Sequence, residues 1–208
     1  MYMCVKKQKR VTVLRNIRNM LESILEEEAK AKQSSGKDSS IGGGSKIVDE
    51  RNGTLIANVK DTEHLLGLVQ KCIVDKCQYR LSNGSSGDVS LYLSYADSHF
   101  YEFSEDDHSY LINDPDNPES GKKIKKNAEE MVQFYNQLAT KHSDHISYLE
   151  DPIHKQDSDC WIDLTQSLQS NSQTANTNAT SPAKVIGNSI FESVPEHVQP
   201  AIANVTFA

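Results

Sequence analysis

Apolar residues recur every three to four positions over residues 11–32. Val11, Leu14, Ile17, Leu21, Ile24 and Leu25, with Glu28 at the same spacing, share one face, with Arg15, Arg18, Glu22 and Glu26 on the other. That period predicts an amphipathic helix. It stops at Gln33-Ser34-Ser35-Gly36, and a run rich in glycine and serine follows to Ser45, the composition of a loop. Ile47 and Val48 predict a short buried strand. A second helix is expected over 62–77, with Asp61 or Thr62 as N-cap and Leu65, Leu66, Val69, Cys72 and Ile73 as its apolar stripe. After the turn-forming residues 82–87, Val89-Ser90-Leu91-Tyr92-Leu93-Ser94-Tyr95 alternates as a strand does. An irregular region closes at Asp114-Pro115-Asp116-Asn117-Pro118. A third helix is predicted over about 124–141, with Ile124, Met131, Val132, Tyr135 and Leu138 on one face. Ile146-Ser147-Tyr148-Leu149 reads as another strand, ended by Glu150-Asp151-Pro152. Asp157 or Ser158 then opens a short fourth helix carrying Trp161, Ile162 and Leu168.

Helices alternating with strands predict an α/β fold with a parallel sheet. The three strands are expected near 46–49, 89–95 and 146–150, with the helices outside the sheet. Residues 169–182 are almost wholly Ser, Asn, Gln, Thr and Ala; such a tract buries too little apolar surface to offset its ordering entropy and is predicted to be disordered. Residues 183–208 hold scattered apolar residues without a period. The implied organisation is a basic tail over 1–10, one α/β domain over 11–168 and a low-complexity tail over 169–208.

The length narrows the architecture. At 208 residues the chain has room for one sizeable core, but not for a complete eight-stranded α/β barrel, roughly 250 residues, plus a second domain. A parallel sheet of only three strands cannot close on itself, so two strand edges and one apolar face, with Leu91, Leu93 and Leu149 or their neighbours, are expected to stay open. The hydrophobic fraction of 37% and mean hydropathy of −0.59 fit a folded segment with polar tails.

Charge and cysteine usage exclude whole classes. The net charge is −7, from 22 basic and 29 acidic residues, which argues against a general nucleic-acid binder. No apolar run approaches the ~20 residues of a membrane span, and the start, MYMCVKKQKR, has no apolar core behind its charges. No nucleic-acid and no membrane partner is expected. Cys4, Cys72, Cys77 and Cys160 show neither metal nor redox spacing, so they read as reduced thiols of a cytoplasmic protein. Cys72 and Cys77, five apart, should face different sides of an α-helix. The seven histidines lack metal-binding spacing and read as scattered surface residues, and Trp161 reads as a packing anchor. The basic segment over 5–25, with Lys6, Lys7, Lys9, Arg10, Arg15 and Arg18, reads either as an outer helix with a solvated face or as a docking helix for an acidic partner.

Functional residues of parallel α/β folds sit just beyond the carboxyl ends of the strands. Two acidic pairs, Asp49-Glu50 and Glu150-Asp151, fall there, with Ser94 at the end of the strand between them. Carboxylates gathered at one mouth suit a hard cation such as Mg²⁺, and a protonated carboxyl there can act as general acid. The plainer alternative is that they are solvated loop acids or helix caps.

At this point the residues resemble the enolase family. Ile146-Ser147-Tyr148-Leu149-Glu150-Asp151-Pro152, followed by Asp157, Asp159 and Trp161, resembles the family's metal-ligand strand and the acidic, Trp-containing helix after it. Glu129-Glu130-Met131-Val132-Gln133-Phe134-Tyr135 is similar to the helix before that strand, and residues 110–118 to a loop rich in Asp and Pro. Leu93-Ser94-Tyr95-Ala96-Asp97-Ser98-His99-Phe100-Tyr101 resembles the strand end that carries a metal-binding Asp. Gly36-Lys37-Asp38, Asp49-Glu50, Gly53 and Asn58 resemble the stretch holding the catalytic Gly-Asp-Glu-Gly-Gly motif. The resemblance spans roughly residues 11–165 and is closest to a divergent enolase-like branch.

The resemblance implies an incomplete enolase-type TIM barrel of about three parallel strands, with a disordered C-terminal tail. It implies the phosphopyruvate hydratase reaction of glycolysis, 2-phospho-D-glycerate to phosphoenolpyruvate plus water, with Mg²⁺ as cofactor. Glu150 stands at a metal-ligand position, Glu50 at that of the acid assisting the leaving hydroxide, and Ser94 at a degenerate metal position. Arg51 replaces a glycine of the motif. The chain is expected to leave the family pattern soon after Thr165, and the third metal strand and the base Lys with it. The implied protein is an enolase-family member that is catalytically degenerate or inactive, with an enolase-family dimer partner. The alternative is a non-enzymatic binding or scaffold protein acting through the enolase-like surface or the basic N-terminal helix.

Overall fold

A computed structural model describes residues 2–5, 10–34, 48–49, 54–57, 59, 61–82, 87–95, 101–114, 122–174 and 182–189. The chain forms two compact units, Val5–Leu81 and Ser82–Ala208 together with Met1–Cys4.

In the first unit the expected amphipathic helix is α1 (Arg10–Ser34). Its stripe is buried from Ile17 onward, with Ile17, Leu21, Ile24 and Leu25 in the core, while Val11 and Leu14 at its start are exposed. The second helix, α2 (Thr62–Gln70), is capped by Asp61, whose carboxylate accepts the His64 N–H at 2.7 Å. It does not continue as an α-helix to residue 77. Residues Lys71–Lys76 widen into a π-helical turn, in which Cys77 N–H donates to Cys72 O at 2.9 Å. The strand expected at 46–49 is not a member of the parallel sheet among the described residues. Val48 instead makes an isolated antiparallel bridge to Leu55, and Asp49 N–H donates to Thr54 O at 2.8 Å. The short apolar run therefore pairs locally, with a residue seven positions on.

The second unit is built on β1 (Tyr2–Val5), β2 (Val89–Ser94), β3 (Tyr101–Ser104), β4 (Ser109–Asn113), β5 (Lys123–Asn127), α3 (Ala128–Lys141), β6 (Ile146–Glu150), α4 (Ser158–Thr174) and β7 (Lys184–Ile186). One sheet has the order β1-β2-β6-β7 and the other β3-β4-β5. β2 with β6 and β6 with β7 are parallel, while β3, β4 and β5 are antiparallel. This is an α/β domain with three adjacent parallel strands and no closed barrel among the described residues. Before β2, Gly87 lies close against Ser82: a Cβ on it would be 2.3 Å from Ser82 O, so only glycine fits.

Several expectations change here. The supposed irregular stretch before Asp114 contains the β3–β4 hairpin, whose alternation buries Tyr110 and Ile112. Residues 123–127 are strand, not helix, because Ile124 pairs with Ile112 and the helix cannot start before its cap. Asn127 accepts from Glu130 N–H while Glu130 accepts from Asn127 N–H, both at 2.8 Å, a capping box. Tyr2–Val5, read as part of a basic tail, is a strand hydrogen-bonded to β2.

The polar tract also starts later than expected. α4 runs to Thr174, past the boundary placed at residue 168. Thr165, Ser167 and Ser170 return their hydroxyls to carbonyls of the preceding turn at 2.8–3.0 Å, which satisfies these polar side chains within the helix. β7 lies further on, in the segment that showed no period. Residues 175–181 and 190–208, the rest of that tail, fall outside the described residues.

Of the two faces the expectation left open, the half-exposed one is that of the leucines' neighbours. Leu91, Leu93 and Leu149 are buried, at 1%, 4% and 0% exposure. They share a face with Tyr95, whose ring meets Tyr135 of α3 edge-on at 5.0 Å. The leucines thus share the face that meets α3 at Tyr95. The half-exposed face carries the alternate residues Tyr92, Ser94, Tyr148 and Glu150. No helix among the described residues is long and apolar enough to cross a membrane.

Candidate functional site

Alternation and register bring two of the three predicted site residues together. Tyr92 and Tyr148 are partners across β2 and β6, with ring centroids 5.7 Å apart on one face. Two residues on, Ser94 and Glu150 are partners at the carboxyl ends of these strands, and the two-residue repeat puts them on the same face. The backbone ties the ends: Tyr95 N–H donates to Glu150 O at 2.9 Å, and Asp151 N–H to Ile186 O at 3.0 Å. Glu50 lies outside the described residues.

β7 completes the mouth. Its last residue, Ile186, is the register partner of Glu150, and Gly187, Asn188 and Ser189 follow. The ends of the three parallel strands thus carry a hydroxyl, a carboxylate and an apolar residue followed by uncharged ones.

Asp151, the other half of the acidic pair, does different work. It is 2% exposed with φ of 47°, a left-handed conformation that Asp tolerates better than most residues. Its Oδ1 accepts Asn188 N–H at 2.8 Å and Ser189 N–H at 3.1 Å, and its Oδ2 accepts Ser189 N–H at 3.0 Å. Both oxygens are occupied in holding the chain after β7.

A second buried carboxylate was read from sequence as a helix cap and as part of the acidic helix of the resemblance. Asp157 Oδ2 accepts the Tyr110 hydroxyl at 2.5 Å, and Oδ1 lies 3.0 Å from His108 Nδ1. Tyr110 Oη in turn accepts His154 N–H at 3.1 Å. His154 stacks on Phe103 with centroids 4.0 Å apart, and Trp161 Nε1 donates to His154 O at 3.1 Å. Trp161 is thus the packing anchor its sequence suggested; His108 is exposed as expected, whereas His154 is half-buried, and both have specific partners. They join the β3–β4 hairpin to the entry of α4. Burial pushes the Tyr101 hydroxyl up to about 12, helped by the charges of Asp151 and Asp157. Tyr110 is raised further, by burial and then by its bond to Asp157. Burial lowers His154. Spacing could not reveal this cluster, since Tyr110 and Asp157 are far apart along the chain.

A parallel α/β sheet with polar residues at its carboxyl mouth is the layout of a barrel-type enzyme domain. The family comparison agrees: the model for the enolase C-terminal TIM barrel domain matches residues 25–198. The chain belongs to the enolase family. No curated protein matches it. The match runs well beyond Thr165, so the expected early departure from the family is corrected: β7 lies within the matched region.

The family generally uses Mg²⁺. That ion takes oxygen ligands, often one or two carboxylates with waters. The described residues do not assemble such a site. Glu150 has Ser94 as its neighbour, Asp151 is committed to backbone amides, and no three ligating side chains come together among the described residues.

Proposed function

We propose that this chain is a catalytically degenerate member of a divergent enolase-like branch. It keeps the family's scaffold without supporting the conversion of 2-phospho-D-glycerate to phosphoenolpyruvate in glycolysis. One observation carries the reading: Ser94 is the partner of Glu150 at the mouth. A neutral hydroxyl there supplies none of the charge that stabilises an anionic intermediate through a divalent cation. By resemblance Glu50 retains the role of leaving-group acid, and Glu150 that of a metal ligand. Catalytic groups acting as a unit lose nearly all activity when one is missing.

A coupled assay with 2-phosphoglycerate and Mg²⁺ tests this directly. Wild-type protein is expected to show no turnover above the Glu50→Ala and Glu150→Ala variants. Turnover that either substitution abolishes would overturn the proposal. A gain-of-function variant gives a second measurement. Ser94→Asp places another carboxylate beside Glu150 and is expected to tighten Mg²⁺ binding by roughly tenfold, about 1.4 kcal/mol, in a calorimetric titration. Unchanged affinity would mean that these two positions do not form a metal mouth.

Cytoplasmic placement belongs to the same proposal and rests on the cysteine usage. An enolase-family dimer partner is implied by the resemblance. A scaffold role through the basic N-terminal helix is the second reading, and the start of α1 favours it. Val11 and Leu14 are 70% and 36% exposed there, beside exposed Arg10 and Arg15. Co-purification followed by native mass analysis separates the readings: a partner lost on deleting residues 1–32 supports the helix, and one retained supports the enolase-like surface.

A further inference from the structure

The π-helical turn places two thiols together that an α-helix would separate. Five residues correspond to about 140° of rotation in an α-helix. Here the bond from Cys77 N–H to Cys72 O closes a wider turn, a form often found at functional positions. Cys72 Sγ donates to Ile17 O at 3.5 Å, and Cys77 Sγ to Asn16 O at 3.9 Å. The two sulfurs therefore sit over consecutive carbonyls of α1. The expectation that they face different sides is thereby corrected. Both are free thiols, Cys72 fully buried and Cys77 partly exposed.

We propose that Cys72 and Cys77 are a peroxide-responsive pair, with Cys77 oxidised first and Cys72 closing a disulfide across the π-helical turn. In the first step the Cys77 thiolate attacks one oxygen of hydrogen peroxide. The O–O bond breaks, giving a sulfenic acid, and the departing hydroxide takes up the thiol proton to leave as water. In the second step Cys72 sulfur attacks Cys77 sulfur. The S–O bond breaks, and the hydroxide leaves as water with the Cys72 proton. Two thiols and one peroxide give one disulfide and two waters.

The order of events follows from environment. Burial holds the Cys72 thiol up at about 12, with the neighbouring Cys77 adding to the shift through charge and a hydrogen bond. Cys72 is thus a poor first nucleophile. Once Cys77 is a neutral sulfenic acid, its thiolate charge no longer opposes ionisation of Cys72. Cys160 provides an internal control: burial and then the charges of Asp157, Asp163 and Asp159 raise its thiol to about 11. A disulfide has no S–H, so oxidation also removes both donations to Asn16 and Ile17.

The experiment treats the full chain with limiting hydrogen peroxide and maps it with trypsin under non-reducing conditions. Cleavage after Lys71, Lys76 and Arg80 puts the two cysteines on separate peptides, 72–76 and 77–80. The expected product is these two joined, two mass units lighter than their sum, with Cys160 unmodified. In Cys72→Ser a 1,3-dicarbonyl reagent should trap the sulfenic acid on Cys77, and in Cys77→Ser the buried Cys72 should stay reduced at the same dose. Oxidation of Cys160 ahead of this pair, or Cys77 reaching sulfinic acid with Cys72 unlinked, would overturn the proposal. If a variant fails to fold, the wild-type map decides alone.

Discussion

Asp151→Ala is expected to lower the unfolding free energy of the second unit by about 3 kcal/mol. Two contributions combine. Removing the carboxylate leaves the part-buried amide donors of Asn188 and Ser189 without their acceptor. An unsatisfied donor costs about 1–3 kcal/mol, reduced where water can enter. Alanine is also less tolerant than aspartate of the positive φ at this position. Asp151→Gly relieves the backbone but not the donors, and Asp151→Asn keeps one acceptor oxygen, so the expected order of loss is Ala, then Gly, then Asn. Urea unfolding followed by fluorescence of Trp161 measures it, and hydrogen exchange at residues 188 and 189 should rise in step. Full stability in Asp151→Ala would refute the view that this carboxylate is a structural latch, and would return it to the pool of candidate metal ligands. That outcome matters for function, because the degenerate mouth is read with Asp151 already committed.

Cutting the Tyr110–Asp157 bond is the second large effect. Tyr110 is fully buried and Asp157 is 9% exposed, so neither group can turn to water. Asp157→Ala is expected to cost about 3 kcal/mol, since it strands a buried hydroxyl and removes a charge-assisted bond. Tyr110→Phe should cost about 1–2 kcal/mol, because it leaves the carboxylate with His108 but removes the acceptor of His154 N–H. The double variant should fall short of the sum by about 1 kcal/mol or more, the signature of a shared interaction. His108 has a largely exposed side chain, and its replacement by alanine should change stability by about 0.5 kcal/mol or less. Strictly additive losses at Tyr110 and Asp157 would contradict the bond. The same measurements locate the hairpin's anchorage, because Phe103 on His154 and Tyr110 on Asp157 are both links from β3 and β4 to the residues before α4.

The mouth was legible in part because its residues follow strand grammar. Ser94 and Glu150 end two alternating runs, and parallel strands with the same pattern bring such ends together. β7 was not legible. Three residues are too few to show a period, and Lys184-Val185-Ile186 is recognisable as a strand only beside the edge of β6. The hairpin of β3 and β4 was hidden for a related reason: Tyr101-Glu102-Phe103-Ser104 alternates, but the acidic turn after it reads as loop. Which face of the sheet stays open was left undecided, because alternation specifies two faces without saying which one the helices take. Tyr135 against Tyr95 decides that, and a helix position comes from packing.

The sequence by itself determined the helices over α1, α2 and most of α3, the strands β2 and β6, and the family. Each rests on periodicity or on neighbouring residues, and local patterns carry that information directly. Only the tertiary structure decided that Asp151 and Asp157 are bonded inside the protein, that Ser94 faces Glu150 across a register, and that Cys72 and Cys77 meet. The first three depend on partners distant along the chain, whose distance no spacing rule contains. The last is local in sequence, yet it turns on a switch from α- to π-helical winding. An α-helical period cannot foresee that switch, because a single wider turn re-aims every side chain that follows it.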